Sequence, residues 1–235
     1  MKDLDKIYIK SGSKEKVIIL LHGWGVYKET WKNLFPELSK HYTTYALDLP
    51  GFGNNQNVPP KFILDDYVTF LNEFLEQKEI KKCILIGHSF GASIASLFSL
   101  RYPKKVEKFV LYSGGLALNN TVKRPQKIIT YSLVVFSVII RWVRNKKINL
   151  NDYSTLKNLY KNTHGRGEIV GKADEIHQPV LLIAGRYDFL APLNRFRILN
   201  QLLSDSQLII FNRSTHGAHI EEKKRFLATL QNFLK

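Results

Sequence analysis

The stretch 83–98, which reads CILIGHSFGASIASLF, constrains the fold of this chain more than any other. Its first four residues are a short apolar run, typical of a buried strand. Its last seven are small and apolar, as in a helix packed against a sheet. Between them lies the pattern G-x-S-x-G, with Ser89 at its centre. So sharp a turn from strand to helix needs glycine on both sides of the serine, and Gly87 and Gly91 supply it.

A serine on such a turn is placed as a nucleophile. The turn exposes the hydroxyl of Ser89 at the carboxyl edge of a sheet, above a helix N-terminus that favours developing negative charge. Taken alone, the five residues could also be a glycine-rich turn with an incidental serine. The strand before them and the helix after them favour the nucleophile.

The rest of the chain alternates apolar strands with amphipathic helices, which predicts a mostly parallel sheet covered by helices on both faces. The predicted strands are 7–9, 17–21, 42–47, 83–86, 109–112, 180–185 and 207–211, and the main helices outside the 83–98 stretch are about 30–38, 62–77, 193–203 and 219–234. The alternation stops from about 116 to 178, where only helical stretches with polar joints occur. We therefore predict a core formed by 1–115 and 179–235, with a helical lid inserted at 116–178.

Composition excludes several classes of protein. The 35 basic and 20 acidic residues give a formal charge of +15, which would suit nucleic acid, an anionic membrane or acidic substrates. No zinc-ligand spacing, P-loop or helix-turn-helix signature accompanies the charge. We therefore expect no nucleic-acid partner, no metal and no other cofactor, and interpret the charge as solvated surface lysine. The single Cys83 and an N-terminus without an apolar signal region predict a cytoplasmic protein. Monomer and dimer both stay open.

Five motifs follow one another along about 200 residues of the chain. They are HGWG at 22–25, DLPGFG at 48–53, GHSFG at 87–91, AGRYDFLAP at 184–192 and STHGAHIEE at 214–222. In this order they resemble the α/β-hydrolases with a small lid, a group of carboxylesterases, carbon–carbon bond hydrolases and related acyl hydrolases. Only one strand precedes VIILLHG, where the family often has two, so the resemblance implies a sheet of about seven strands.

The resemblance implies a catalytic triad of Ser89, Asp188 and His216, in the family's order of nucleophile, acid and histidine. A serine hydroxyl is a poor nucleophile unless a base lies beside it. Asp188 follows a buried strand and a turn at Gly185, although a loop aspartate could instead cap the next helix. His219 competes with His216 as the base, but it falls in the first turn of the last helix.

The same resemblance places the oxyanion hole at the backbone N–H groups of Trp24 and Phe90. It makes His22 a structural residue of the glycine loop, and it makes 48–53 a structural turn rather than the source of a catalytic acid. His88 is expected to line a wall of the substrate pocket. The serine of the elbow argues against an aspartate nucleophile of the kind found in dehalogenases and epoxide hydrolases.

The stretch 128–140, IITYSLVVFSVII, carries no charge over 13 residues and is too short to span a bilayer. We interpret it as an apolar roof over the pocket and assign Val135 and Phe136 to the substrate site. Between 120 and 150 there are seven basic residues and no acidic one. This leaves a second, less favoured interpretation, a lid that touches an anionic membrane surface.

These features predict a serine esterase that cleaves small to medium, hydrophobic acyl esters through an acyl-enzyme. A small-molecule ester is thus the expected partner. Alternatives of the same fold are a carbon–carbon bond hydrolase, a thioesterase and a lactonase. A different class remains open, a receptor-like binder that keeps the triad for ligand capture with little turnover.

Overall fold

A seven-stranded sheet forms the centre of the computed structural model, which describes residues 4–55, 62–114 and 171–235. The strands are β1 Tyr8–Ser11, β2 Val17–Leu21, β3 Thr43–Leu47, β4 Cys83–His88, β5 Val106–Tyr112, β6 Val180–Gly185 and β7 Ser206–Phe211. Their order across the sheet is β1-β3-β2-β4-β5-β6-β7. Only β1 runs antiparallel to its neighbour, and the other five pairs are parallel. The predicted mostly parallel sheet of about seven strands is confirmed.

The central strands are apolar without alternation because both faces of a parallel sheet are covered. In β2 the side chains of Ile19 and Leu21 belong to one core cluster, and those of Ile18 and Leu20 belong to the cluster on the opposite face. All four are fully buried. Successive side chains of a strand point to opposite faces, so one apolar run serves two cores.

Six α-helices and four 3₁₀ turns lie in the described ranges. The helices are α1 Phe35–Leu38, α2 Leu64–Gln77, α3 Phe90–Arg101, α4 Leu193–Leu202, α5 Ala218–Glu221 and α6 Lys223–Leu234, and the 3₁₀ turns are Leu4–Lys6, Lys28–Trp31, Pro103–Lys105 and Ala173–Glu175. Helices α2, α3 and α4 supply one core cluster, and α1 and α6 supply the other. Helix α3 is buried over most of its surface, as expected for the helix directly after a central strand.

Two helices expected to be continuous are broken. The one expected at 30–38 is a 3₁₀ turn, Lys28–Trp31, followed by the short α1, which begins at Phe35 with Pro36 in its first turn. Proline lacks an N–H group and so favours a helix start over a helix interior. The last helix is broken between α5 and α6 at Glu222, whose φ and ψ are −124° and 48°.

Most of the predicted lid lies outside the described residues, including the apolar stretch 128–140 with Val135 and Phe136. Its described end is 171–178, which contains the 3₁₀ turn Ala173–Glu175 and leads into β6. In the three described ranges, every helix is too short or too polar to cross a membrane.

Candidate active site

The residues singled out by sequence follow four parallel strands at one edge of the sheet. Trp24 follows β2, Ser89 follows β4, Asp188 follows β6 and His216 follows β7. Since the carboxyl ends of parallel strands share an edge, the fold brings these residues to the edge at which open α/β sheets bind ligands.

The elbow has the strained backbone that the motif predicts. Ser89 has a φ of 51° and a ψ of −107°. Residues other than glycine rarely adopt a positive φ. Its N–H donates to the carbonyl of Tyr112 at 2.8 Å. A Cβ atom on Gly87 would lie 2.5 Å from the Gly91 carbonyl oxygen, and one on Gly91 would overlap the carbonyl of Leu21. Strand and helix can therefore approach this closely only with glycine at both positions.

His22 fixes the glycine loop after β2. Its carbonyl accepts a hydrogen bond from the Gly91 N–H at 3.1 Å, which joins the loop to the start of α3. The imidazole is fully buried: Nδ1–H donates to the Gly23 carbonyl at 2.7 Å, and Nε2 accepts the Leu49 N–H at 3.0 Å. Because one ring nitrogen donates and the other accepts, this ring is neutral and has a structural role.

Two backbone donors close to Ser89 have no hydrogen-bond acceptor among the described residues. Within the described residues, neither the Trp24 N–H nor the Phe90 N–H donates a hydrogen bond. The two side chains pack edge to face, with ring centroids 5.2 Å apart, so both segments are held together. Phe90 is the first residue of α3, where the helix dipole adds partial positive charge. Such a pair can stabilise an oxygen that becomes negative.

Asp188 and His216 form a hydrogen-bonded pair. The His216 Nδ1–H donates to Asp188 Oδ2 at 2.8 Å. The other carboxylate oxygen, Oδ1, accepts the N–H groups of Leu190 and Ala191, both at 2.9 Å. The Asp188 side chain is fully buried, whereas 27% of the His216 side chain is exposed. Among the described residues Nε2 of His216 makes no hydrogen bond, so it presents a lone pair to the site.

The structure brings Ser89 and His216 to the same site but gives them no direct hydrogen bond among the described residues. The link between them is His88, which precedes the serine and whose ring centroid lies 4.9 Å from that of His216. In enzymes without substrate, such hydrogen bonds are often long and tighten only when substrate binds.

Two glutamates anchor the loop that carries His216. Glu222 accepts the Ser214 hydroxyl at 2.6 Å, and Glu221 accepts the Thr215 N–H at 2.7 Å. Glu222 lies at the break between α5 and α6, and its carboxylate reaches this loop. The hydrogen bonds that Glu222 accepts from Ser214 and the Arg213 N–H lower the pKa of its carboxyl group. The sequence motif STHGAHIEE contains both glutamates, but it did not predict that they hold the loop. The signal for both was two acidic residues directly after the loop.

His88 was expected on the pocket wall, but its observed contacts are in a buried cluster. It is 8% exposed, and its ring stacks on Tyr112 with centroids 4.5 Å apart. Its Nε2–H donates to the carbonyl of His216 at 2.9 Å. Burial lowers the pKa of His88 well below 6.5, and the neighbouring His216 and His219 lower it further. Burial also lowers the pKa of His219 to about 4, so both rings are neutral near pH 7.

The carboxylate of Asp48 is fully buried and fully engaged. It pairs with Lys28 Nζ at 2.5 Å and also accepts the N–H groups of Lys28 and Asn54, each at 2.8 Å. An acid with these partners has no free oxygen to orient an imidazole, as expected for a structural turn. Across the described ranges, no three His, Cys, Asp or Glu side chains cluster in a way that could hold a metal ion.

Comparison with known proteins assigns the family. The sequence model of the alpha/beta hydrolase fold matches residues 16–133, half of the chain. The chain therefore belongs to the α/β hydrolase family of enzymes, as its motifs implied.

Named relatives are hydrolases of several kinds. The 2-hydroxy-6-oxo-2,4-heptadienoate hydrolase of Pseudomonas putida is 26% identical, over 92% of this chain and 88% of its own. The pimeloyl-acyl-carrier-protein methyl ester esterase of Wigglesworthia glossinidia brevipalpis is 26% identical, over 95% of each chain. The crystal structure of a serine hydrolase from Cycloclasticus zankles superposes with a TM-score of 0.79 at 22% identity, over 97% of this chain and 93% of that one. The last likeness shows the fold alone.

Proposed function

We propose that this protein is a serine hydrolase that cleaves carboxylic esters with small to medium, hydrophobic acyl groups through an acyl-enzyme intermediate. Ser89 is the nucleophile, His216 the general base and Asp188 the acid that orients it. The observation that carries the proposal is the Asp188–His216 hydrogen bond of 2.8 Å on loops beside a strained serine elbow. That bond leaves Nε2 of His216 as the base.

In acylation, Ser89 Oγ attacks the ester carbonyl carbon while Nε2 of His216 takes the hydroxyl proton. Asp188 stabilises the resulting imidazolium, and the Leu190 and Ala191 N–H groups keep its carboxylate in place. The carbonyl oxygen becomes negative as the tetrahedral intermediate forms. We assign the N–H groups of Trp24 and Phe90 as the donors for that oxygen.

Collapse of the intermediate breaks the ester C–O bond, and His216 gives its proton to the departing alcohol. Water then attacks the acyl group on Ser89, again with His216 as base, and releases the acid. Every proton in this cycle passes through one nitrogen, Nε2 of His216. The exposed part of the His216 side chain gives water a route to it.

A carbon–carbon bond hydrolase is the second candidate, favoured by the relative that acts on 2-hydroxy-6-oxo-2,4-heptadienoate and aligns with 92% of the chain. The methyl ester esterase, aligned over 95% of the chain at the same identity, supports the ester reaction. Comparing kcat/KM for p-nitrophenyl esters with kcat/KM for a 2-hydroxy-6-oxo-dienoate decides between them. We expect the esters to be the better substrates.

The preference for hydrophobic acyl groups rests on the sequence of 128–140, including Val135 and Phe136. Each buried CH₂ of an acyl chain contributes about 0.8 kcal/mol. We therefore expect kcat/KM to rise with acyl length until the pocket is full and then to fall. A cytoplasmic location and the use of thioesters or lactones are further proposals from the sequence. A receptor-like binder would bind the esters with little turnover.

The test of the nucleophile is Ser89→Ala assayed on p-nitrophenyl esters. We expect kcat to fall by a factor on the order of 10⁶, because members of a triad act as a unit. The matched control is Ser99→Ala, the same change within the helix that follows the elbow, where the hydroxyl donates only to the Ala95 carbonyl. The control should keep full activity. Comparable activity in Ser89→Ala and wild type would refute the assignment.

A further inference from the structure

The main-chain carbonyl of His216 accepts two side-chain hydrogen bonds. His88 Nε2–H and the Tyr112 hydroxyl each donate to it at 2.9 Å. The two donors come from neighbouring strands, since His88 ends β4, Tyr112 ends β5 and the two are paired in register. In a parallel pair, residues in register present their side chains to the same face, which explains the stacked rings. The stack aims two polar groups at one oxygen.

The contacts between Tyr112 and His219 determine which ring nitrogen of His219 carries the proton. The Tyr112 hydroxyl lies 3.1 Å from Nδ1 of His219, and the His219 Nε2 lies 3.4 Å from the Thr30 hydroxyl. A phenol has one proton, so when it donates to the His216 carbonyl, the His219 Nδ1–H donates to the phenol oxygen. The Thr30 hydroxyl then donates to Nε2 of His219. The chain of donors runs from Thr30 through His219 and Tyr112 to His216.

A buried histidine at position 88 lowers the stability of the fold unless its hydrogen bond to the His216 carbonyl has a role. A carbonyl can only accept, so the proton of the neutral ring is on Nε2 and Nδ1 carries a lone pair. That Nδ1 is buried and has no hydrogen-bond partner among the described residues. A buried acceptor without a partner destabilises a fold, and an apolar side chain of similar size would avoid this cost. The imidazole therefore provides one useful contact, the bond to His216.

We infer that His88 and Tyr112 are positioning residues that hold the main chain of His216, so that its imidazole keeps the orientation set at its other end by Asp188. This inference rests on the proposed role of His216 as base. Neither residue touches the reacting atoms. The ring is constrained at Nδ1 by the carboxylate and at its backbone by two donors, and small misplacements of a catalytic base lower the rate steeply.

The first test deletes one atom. Tyr112→Phe removes the hydroxyl and should lower kcat about tenfold with KM little changed, because substrate contacts are untouched. Tyr42→Phe is the matched control, since its hydroxyl also donates to a main-chain carbonyl at 2.9 Å, that of Leu234, near the opposite edge of the sheet. The control should keep the wild-type kcat even if it loses some stability.

The second test keeps or removes the donor at His88. His88→Gln retains an N–H group at a similar reach, whereas His88→Met has a similar shape and no donor. We expect Gln to keep most of the activity and Met to lose about as much as Tyr112→Phe. Equal activity of the two variants would overturn the role of His88, and thermal unfolding shows whether both are folded.

A readout independent of turnover separates this inference from the proposed reaction. The His216 Nδ1–H proton bonded to Asp188 should give a downfield proton resonance, identified by its loss in His216→Ala. It should shift or broaden in Tyr112→Phe and His88→Met but not in Tyr42→Phe. An unchanged resonance in the first two variants overturns the inference, whatever their kcat. A wild-type protein without ester turnover whose resonance responds as expected refutes the proposed function alone.

Discussion

His216 and His219 are three residues apart, yet their surroundings give them opposite properties. His216 is partly exposed and paired with a carboxylate, which suits a base that must both accept and release a proton. His219 is 4% exposed, and burial holds its pKa at about 4, too low for a base that must work near neutral pH. In the sequence, only their positions relative to the last helix favoured His216 over His219 as the base. The structure adds a physical reason.

We predict that His216→Ala lowers kcat nearly as far as Ser89→Ala, by a factor on the order of 10⁶. His219→Ala should cost far less activity, because His219 contacts Tyr112 and His88 but makes no hydrogen bond to His216 among the described residues. Steady-state kinetics on one ester, with unfolding curves for both variants, measures this. The reverse order of the two effects would contradict our assignment of the base.

Motifs carry the residues proposed to react, but only some of those that hold them. Ser89, Asp188 and His216 each lie in a sequence pattern that a reader of the chain can find. Tyr112 lies in an ordinary apolar strand, and nothing in VEKFVLY marks its last residue. Its role comes from the register that sets it beside His88, and register depends on the pairing of two whole strands. Contacts of this kind could not be predicted from local sequence.

At the scale of elements, a buried ion pair joins two segments behind the site. Lys28 begins the 3₁₀ turn after the glycine loop, and Asp48 directly follows β3. Both side chains are at least 94% buried, and the carboxylate also accepts two backbone N–H groups. The pair thus fixes the loop that carries Trp24 against the sheet. Sequence predicted the strands on either side, but not that a lysine would be buried between them.

Breaking this pair should destabilise the fold. Lys28→Met leaves the Asp48 carboxylate buried without its cation, and we expect the free energy of unfolding to fall by about 3–5 kcal/mol. Lys40→Met removes a lysine from the exposed pair with Glu37 and should change it by at most about 1 kcal/mol. Urea unfolding of both variants measures the difference. Equal effects would show that burial does not strengthen the Lys28–Asp48 pair.

At the scale of the whole molecule, buried histidines link stability to pH. In the unfolded chain His88 and His219 take up protons near pH 6.5, whereas in the folded protein burial lowers both pKa values. The unfolded state therefore binds more protons as the pH falls, and the folded state loses stability. Among the groups near His219, Glu221 raises its pKa and His216 lowers it, and burial outweighs both.

We predict that the free energy of unfolding is highest above pH 6.5 and falls as the pH drops towards 4. For His219 alone the loss is about 3 kcal/mol at 1.36 kcal/mol per unit of pKa. Urea unfolding at several pH values measures the slope, and His219→Gln should reduce it. A stability independent of pH between 6.5 and 4.5, where the carboxylates with lowered pKa stay ionised, would contradict the prediction.

The proposed reaction requires that Ser89 Oγ becomes acylated, and covalent trapping tests this requirement most directly. The wild-type protein is treated with a fluorophosphonate, and the adduct is located by peptide mapping. We predict one adduct, on Ser89, that appears as ester turnover is lost, with no adduct in Ser89→Ala. An adduct on another residue that accompanies the loss of turnover, or turnover that survives full labelling of Ser89, would contradict the account.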